Sequence, residues 1–251
     1  MPDELERIDA DEARQRLAET GLLAGCMLVE ADLAELEAHA PVLRDCRFVD
    51  VSLRSAVLGG LRCSGTHFLR CRFDGADLAG AELSGCAFFD AETEQGCTFA
   101  RATLRFTTFS DCTLDRCLFE EADLAHTTIS GSRALGASFV KASFGGGAKV
   151  TGSLLRYADL RDANLAQCDL TGNDFEWANL EGASLRAATL RDSTLNRAAL
   201  RRADFRGADL RNANLGGFDP RALDARGAIL LDGQARQVLE NMEMIVLPDN
   251  R

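Results

Sequence analysis

The sequence predicts an all-β fold: a solenoid whose chain turns a corner every five residues and stacks coil upon coil. Three observations carry this. A large apolar residue recurs at every fifth position through most of the 251 residues, with a small residue two places before it. A period of five fits neither a helix, at 3.6, nor a flat strand, at 2. Of fourteen phenylalanines, eleven fall on the repeating position, and only Phe89, Phe106 and Phe218 do not.

The repeat falls into three registers. The first places its large residues at Phe48, Leu53, Leu58, Cys63, Phe68, Phe73, Leu78, Leu83, Phe88 and Thr93. The second runs from Phe99 through Leu104, Phe109 and Leu114 to Phe144, and the third from Val150 through Leu155 and Leu160 to Leu215. One extra residue is expected at 91–96 and another at 145–147. If every fifth side chain faces one axis, Leu and Phe fill that axis, and each contributes roughly 1.5–3 kcal/mol by burial. The Ala, Ser or Cys two places earlier lets the wall close in. Neighbouring coils then hydrogen-bond like strands, about 4.8 Å apart.

The register also explains the nine cysteines. Cys46, Cys71, Cys86, Cys97, Cys112, Cys117 and Cys168 stand two places before a large residue, and Cys63 stands on one. Cys26 joins them if the register extends back through Leu28. These are expected to be small buried hydrophobes. No CxxC pair points to zinc.

The ends depart from the pattern. Residues 8–20 read as a short amphipathic helix, with Leu5, Ile8, Ala13 and Leu17 on one side and Gly21 as its stop. Residues 21–43 read two ways. Leu23, Leu28, Leu33 and Leu43 keep the register, while ADLAELEAHA before Pro41 looks helical. Solenoids need an end piece over the exposed core, and this segment would serve. After Leu215 the pattern fades into a helix over 232–242 and a short strand over 244–247, which would either cap the rod or dimerise it.

Charge and composition narrow the function. The net charge is −11. Residues 1–50 carry −8 of it, residues 51–215 carry −1 and residues 216–251 carry −2. Nucleic-acid binding needs Lys and Arg to displace counterions, so the balance argues against it. No apolar run reaches the length of a membrane span, and residues 1–16 are too charged for a signal peptide. A cytoplasmic protein is expected. His39, His67 and His126 lie far apart, and no Ser/His/Asp spacing, phosphate loop or metal-ligand cluster is recognisable. The expectation is a protein that is not an enzyme and takes no cofactor or metal.

Two surface features stand out. One is the loop Asp90, Ala91, Glu92, Thr93, Glu94, Gln95 and Gly96, where the register breaks; loops on rigid scaffolds often carry function. The other is an aromatic ladder. Tyr157 and Trp177, the only Tyr and Trp, lie twenty residues apart at the same repeat position. The same reading puts Lys141 below them and Arg197 above, a composition suited to a protein contact.

The chain resembles the pentapeptide-repeat family over residues 46–215, and more narrowly the Qnr type. The stretch FLRCRFDGADLAGAELSGCAFFDAETEQGCTFARATL is similar to the Qnr sequence around its first loop. RALGASFVKASF is similar to the run before the second loop, and DARGAILLDGQARQVLENMEMIVLP to the C-terminal helix and strand. The resemblance implies a right-handed quadrilateral β-helix, with four five-residue sides per coil. It has an N-terminal helical cap and a C-terminal helix plus short strand. The parts would be 1–45 as cap and possible first coil, 46–218 as β-helix, and 219–251 as cap or dimerisation segment. It also implies a head-to-head homodimer through Val238, Leu239, Met242, Met244, Ile245, Val246 and Leu247. The implied partners are type II topoisomerases, DNA gyrase and topoisomerase IV. A DNA-mimicking rod of this kind protects them from quinolones or another topoisomerase poison. The alternative function is a structural or regulatory scaffold binding an unrelated protein. The chain departs from the Qnr pattern at 145–147, where a short glycine turn replaces the long second loop on which topoisomerase protection leans.

Overall fold

The computed structural model describes residues 5–246. Its backbone is a four-sided β-solenoid, and its pairings fix the coil length at twenty residues. Leu43 lies beside Cys63 and Cys63 beside Leu83, all in parallel. The four faces have their inward residues at Leu23, Leu28, Leu33 and Ala38 in the first coil, and those columns continue upward. Each corner is a tight turn. Ala163 N–H donates to Leu160 O at 3.1 Å, and Asp162 between them has φ of 56°. The same left-handed corner recurs along the coils, and the residue closing the turn is buried and most often small.

The axis is filled as the period requires. Phe48, Phe68 and Phe88 stack on one face with centroids 5.0 Å apart, the spacing of the coils themselves. Phe73, Phe99, Phe119 and Phe139 stack on the next at 4.7–4.8 Å. All nine cysteines are free and buried. Burial pushes the Cys168 thiol up to about 12, which keeps it protonated. A polar ladder runs through part of the wall. Ser132, Ser153, Asn173 and Ser193 are buried, and each accepts from the backbone N–H one coil below through its side-chain oxygen. That satisfies polar atoms which water cannot reach.

The two register breaks differ in kind. Ile129 pairs with Val150, 21 residues on, so 145–147 does add a single residue. Leu83 pairs with Phe109, 26 residues on, so the first break inserts six residues rather than one. Thr93 is therefore not an inward position: it is exposed in a projecting loop. Phe218, outside the register, is also buried and packs edge-on against Phe205 at 5.6 Å.

At the N-terminal end the coil begins earlier than Phe48. Leu22 to Ala24 pair with Val42 to Arg44, and Asp32 bridges Ser52. Residues 21–43 are thus coil, not helix. Helix α1 spans Ala10–Thr20, capped by Asp9, whose Oδ1 accepts from Glu12 N–H at 2.9 Å. Ala13 and Leu17 are buried against the open end of the core. Ile8 is not helical as expected. Its N–H donates to Met27 O, and it is buried at the foot of the column under Leu28.

At the other end the coil runs past Leu215, with Asp204 bridging Asp224 and Asp209 bridging Ile229. Helix α2 spans Asp232–Asn241. Gln234 clamps its first turn to the last coil. Its Nε2 donates to Leu210 O and Ala213 O, both at 2.8 Å, and its Oε1 accepts from Leu231 N–H. The expected strand over Met244, Ile245 and Val246 is absent, and Leu247 lies outside the described residues. A strand needs a hydrogen-bonding neighbour. Here Met244 N–H turns back to Leu239 O, and Val246 O accepts from Arg236.

Candidate functional site

The six inserted residues form a hairpin standing off the corner between the second and third faces. Phe89–Asp90 pairs antiparallel with Gln95–Gly96. Residues 91–95 are exposed, whereas Asp90 is buried at 5% exposure. Asp90 holds the loop shut. Its Oδ1 accepts from Glu92 N–H at 3.0 Å, its Oδ2 from Thr93 Oγ1 at 2.9 Å, and Arg70 reaches it from the coil below. Burial opposes ionisation of Asp90, but the donors from Thr93, Glu92 and Arg70 outweigh it, and its pKa falls below the usual carboxylate value. Arg70 also pairs with Asp50 at 2.6 Å, and this contact holds the Asp50 carboxyl low as well.

From the coil above, Arg116 Nη1 donates to the Glu94 carboxylate at 2.8 Å and to its carbonyl at 3.1 Å. Gly96 makes this close approach possible. A Cβ there would come within 3.0 Å of the Arg116 carbonyl group and the Cys117 nitrogen. The hairpin is thus pinned from both sides. Of its acids, Asp90 is spent on structure and Glu94 is paired. Glu92 is exposed and has no ion-pair partner among the described residues.

The aromatic ladder forms. The rings of Tyr157 and Trp177 lie 6.5 Å apart and 11° from parallel, and the Arg197 guanidinium sits over Trp177 at 4.9 Å. Such a cation over an exposed ring contributes about 0.5–1 kcal/mol. Lys141 is not part of it. The single extra residue at 145–147 makes the neighbour below Tyr157 Gly136, whose N–H donates to Arg156 O, whereas Lys141 N–H donates to Arg161 O on the next corner. Tyr157 is 59% and Trp177 45% exposed. Both sit at left-handed corners, φ 60° and 62°, where a residue with a side chain costs roughly 1–2 kcal/mol. The column they occupy runs down through Gly136 and Arg116 to Asp90, so ladder and hairpin share one corner.

Sequence reasoning did not single out Arg70 or Arg116. Their signal was the coil length, since Arg70 stands twenty residues before Asp90. It also passed over a second exposed stack, Phe106 on His126 at 4.7 Å and 2°, on the diagonally opposite corner.

The C-terminal residues divide by role. Val238 is buried and Met242 packs against the core, so they cap the rod. Leu239, Met244 and Ile245 are exposed, Ile245 at 89%. Beside them an apolar cleft of about 230 Å³ opens between α2 and the last coil, lined by Phe218, Pro220, Leu230 and Leu239 among others. Among the described residues no helix is long and apolar enough to cross a membrane, and no cluster of three metal-ligating side chains occurs.

The chain matches the family of pentapeptide repeats in eight copies, over residues 46–88, 148–186 and 183–219. It is similar to the quinolone resistance pentapeptide repeat protein QnrB96 of Scandinavium goeteborgense, 41% identical over 85 residues, which are 34% of this chain and 40% of that protein. It is also similar to the pentapeptide repeat protein MfpA of Mycobacterium tuberculosis (strain ATCC 25618 / H37Rv), 33% identical over 85 residues, 34% of this chain and 43% of that one. The aligned stretch thus spans about 40% of the length of these curated relatives. Among solved structures, a trypsin-treated variant of QnrB1, a plasmid-mediated fluoroquinolone resistance protein, is 33% identical with a TM-score of 0.73, covering 78% of this chain and 95% of that one. Full-length QnrB1 gives 28% and 0.73, covering 89% and 99%. With the period, the four-sided coil and the corner hairpin, these likenesses establish that the chain belongs to the pentapeptide-repeat family and is of the Qnr type.

Proposed function

We propose that this protein is a DNA-mimicking rod that binds a type II topoisomerase, DNA gyrase or topoisomerase IV, and confers resistance to quinolones or another topoisomerase poison. The observation that carries the reading is the pinned hairpin on a rod that superposes on nearly the whole of a fluoroquinolone resistance protein. The chemistry is binding, not turnover. A hairpin fixed by Arg70 below and Arg116 above loses little freedom when it docks, so its contacts are not offset by ordering. Net charge −11 repels phosphate backbones, so the partner is the enzyme rather than its DNA. The site of action is the cytoplasm, where these enzymes work.

We also propose a homodimer through the C-terminal end. The apolar cleft beside α2 and the exposed Leu239, Met244 and Ile245 supply complementary surfaces for a second copy. The deciding experiment is gyrase supercoiling and drug-induced DNA cleavage with and without the protein. Rescue of supercoiling in the presence of a quinolone, or direct inhibition of the enzyme, is expected. No effect of either kind at micromolar protein would refute the reading. A pull-down recovering other proteins and no topoisomerase would favour the scaffold alternative.

A further inference from the structure

We infer that the hairpin and the Tyr157–Trp177–Arg197 ladder form one docking edge, and that a single protein surface lies along both. The inference rests on the topoisomerase reading for the partner's identity. Its basis is geometric. From Asp90 the corner column passes through Arg116 and Gly136 to Tyr157, then Trp177 and Arg197. At one coil rise of about 4.8 Å each, Tyr157 stands about 14 Å and Arg197 about 24 Å above the base of the hairpin. Gly136 leaves a step between hairpin and rings, so a partner resting on the hairpin meets the Tyr157 ring edge next.

The edge is chemically graded. Glu92 at the hairpin tip and Arg197 at the top both lack an ion-pair partner among the described residues, and the two aromatic rings lie between them. This fits a partner with a basic group opposite the hairpin, an apolar or planar patch in the middle and an acidic group about 24 Å away. Tyr, Trp and Arg are the residues that most often dominate protein contacts. Their placement is also unfavourable in the free chain: each ring is at a left-handed corner and gains little burial in return.

The test measures binding of the full-length chain to purified DNA gyrase holoenzyme. Tyr157→Ala with Trp177→Ala is expected to weaken binding at least about tenfold, as loss of a hot spot does. Arg197→Glu, which leaves both rings in place, is expected to weaken it in the same direction. Phe106→Ala, on the opposite corner and equally exposed, is expected to leave it within about twofold. If the wild type binds and the double and Arg197 variants bind as tightly, the docking edge is refuted while the topoisomerase reading stands. If the wild type does not bind, that reading fails and the partner assigned to the edge fails with it. If the double variant instead loses oligomeric mass by light scattering, the edge is a contact between copies of this chain, and the inference is overturned.

Discussion

Replacing Gly96 by alanine tests how the hairpin is held. The added Cβ would meet the Arg116 carbonyl carbon and oxygen and the Cys117 nitrogen inside 3.0 Å. Ordinary carbon contacts lie at about 3.5–4.0 Å, so the overlap is at least about 0.5 Å. The atoms struck are backbone of the next coil, and Cys117 N–H there is already donating to Leu114 O at 3.2 Å. No flexible side chain can yield, so the hairpin base or the coil must shift. Forced overpacking costs about 1–3 kcal/mol. For a chain of this size that lowers Tm by about 2–12 °C, at 2–4 °C per kcal/mol. Because a solenoid's stability is a sum of neighbouring contacts, the loss concentrates around the hairpin. Thermal melting by circular dichroism and limited proteolysis of residues 91–95 read the two consequences. The control is Gly233→Ala, in the first turn of α2, where a Cβ meets nothing within 4 Å and helix propensity favours alanine by up to about 1 kcal/mol. A Gly96→Ala protein with an unchanged melting point and an uncut hairpin would show that this close approach does not exist.

Acid should release the same loop. Asp50 and Asp90 both have depressed pKa values in the folded chain, so the stability they give is present above the unfolded carboxylate pKa of about 3.9. It is lost as pH falls through their lower folded values. The Glu92 amide resonance, whose N–H donates to Asp90, is expected to titrate with a midpoint below about 4, and Arg70→Met should raise that midpoint. A wild-type midpoint at or above the ordinary value would contradict the assignment. At the far end, Ile245→Arg alters an exposed side chain of the single chain, so it should leave the circular dichroism spectrum unchanged, halve the mass seen by light scattering and lower Tm to that of the dissociated chain. A dimer that survives it, together with Leu239→Arg, would place the dimer contact elsewhere.

The errors of sequence reasoning have physical causes. Size at every fifth residue located the axis because large apolar side chains fill most of it, and Phe99, Leu160 and Phe205 are all buried there. The same period concealed the hairpin. An insertion of six shifts a five-residue register by one, as a single extra residue does, so Thr93 passed for an inward position. Lys141 was misplaced because columns are counted by coils of twenty, and the extra residue at 145–147 moves Gly136 beneath Tyr157. Residues 21–43 read two ways, because Leu23, Leu28, Leu33 and Leu43 keep the register while ADLAELEAHA has helical composition; pairing to the coil above decides for coil over propensity. The strand expected at 244–246 failed for the reverse reason: its apolar side chains suit a sheet, but the single chain offers it no edge.

The charge pattern decides where discrimination between partners can reside. Residues 51–215 are near neutral because acids and bases cancel between adjacent coils: Arg70 with Asp90, Arg101 with Glu121, Arg133 with Asp115, Arg156 with Glu176. Paired charges of this kind project little field beyond a Debye length of about 8 Å at physiological salt. Glu30, Glu35, Glu37 and Asp45 have no such partners among the described residues, so the uncancelled negative field lies at the N-terminal tip. If the C-termini dimerise, the two acidic tips point outward and can steer a basic surface over a distance. Steering raises the rate of encounter and leaves selectivity to short-range contacts. Those have to come from side chains that are exposed and outside the ion pairs of the described residues, and along the neutral body of the rod Glu92, Tyr157, Trp177 and Arg197 meet that condition on a single corner.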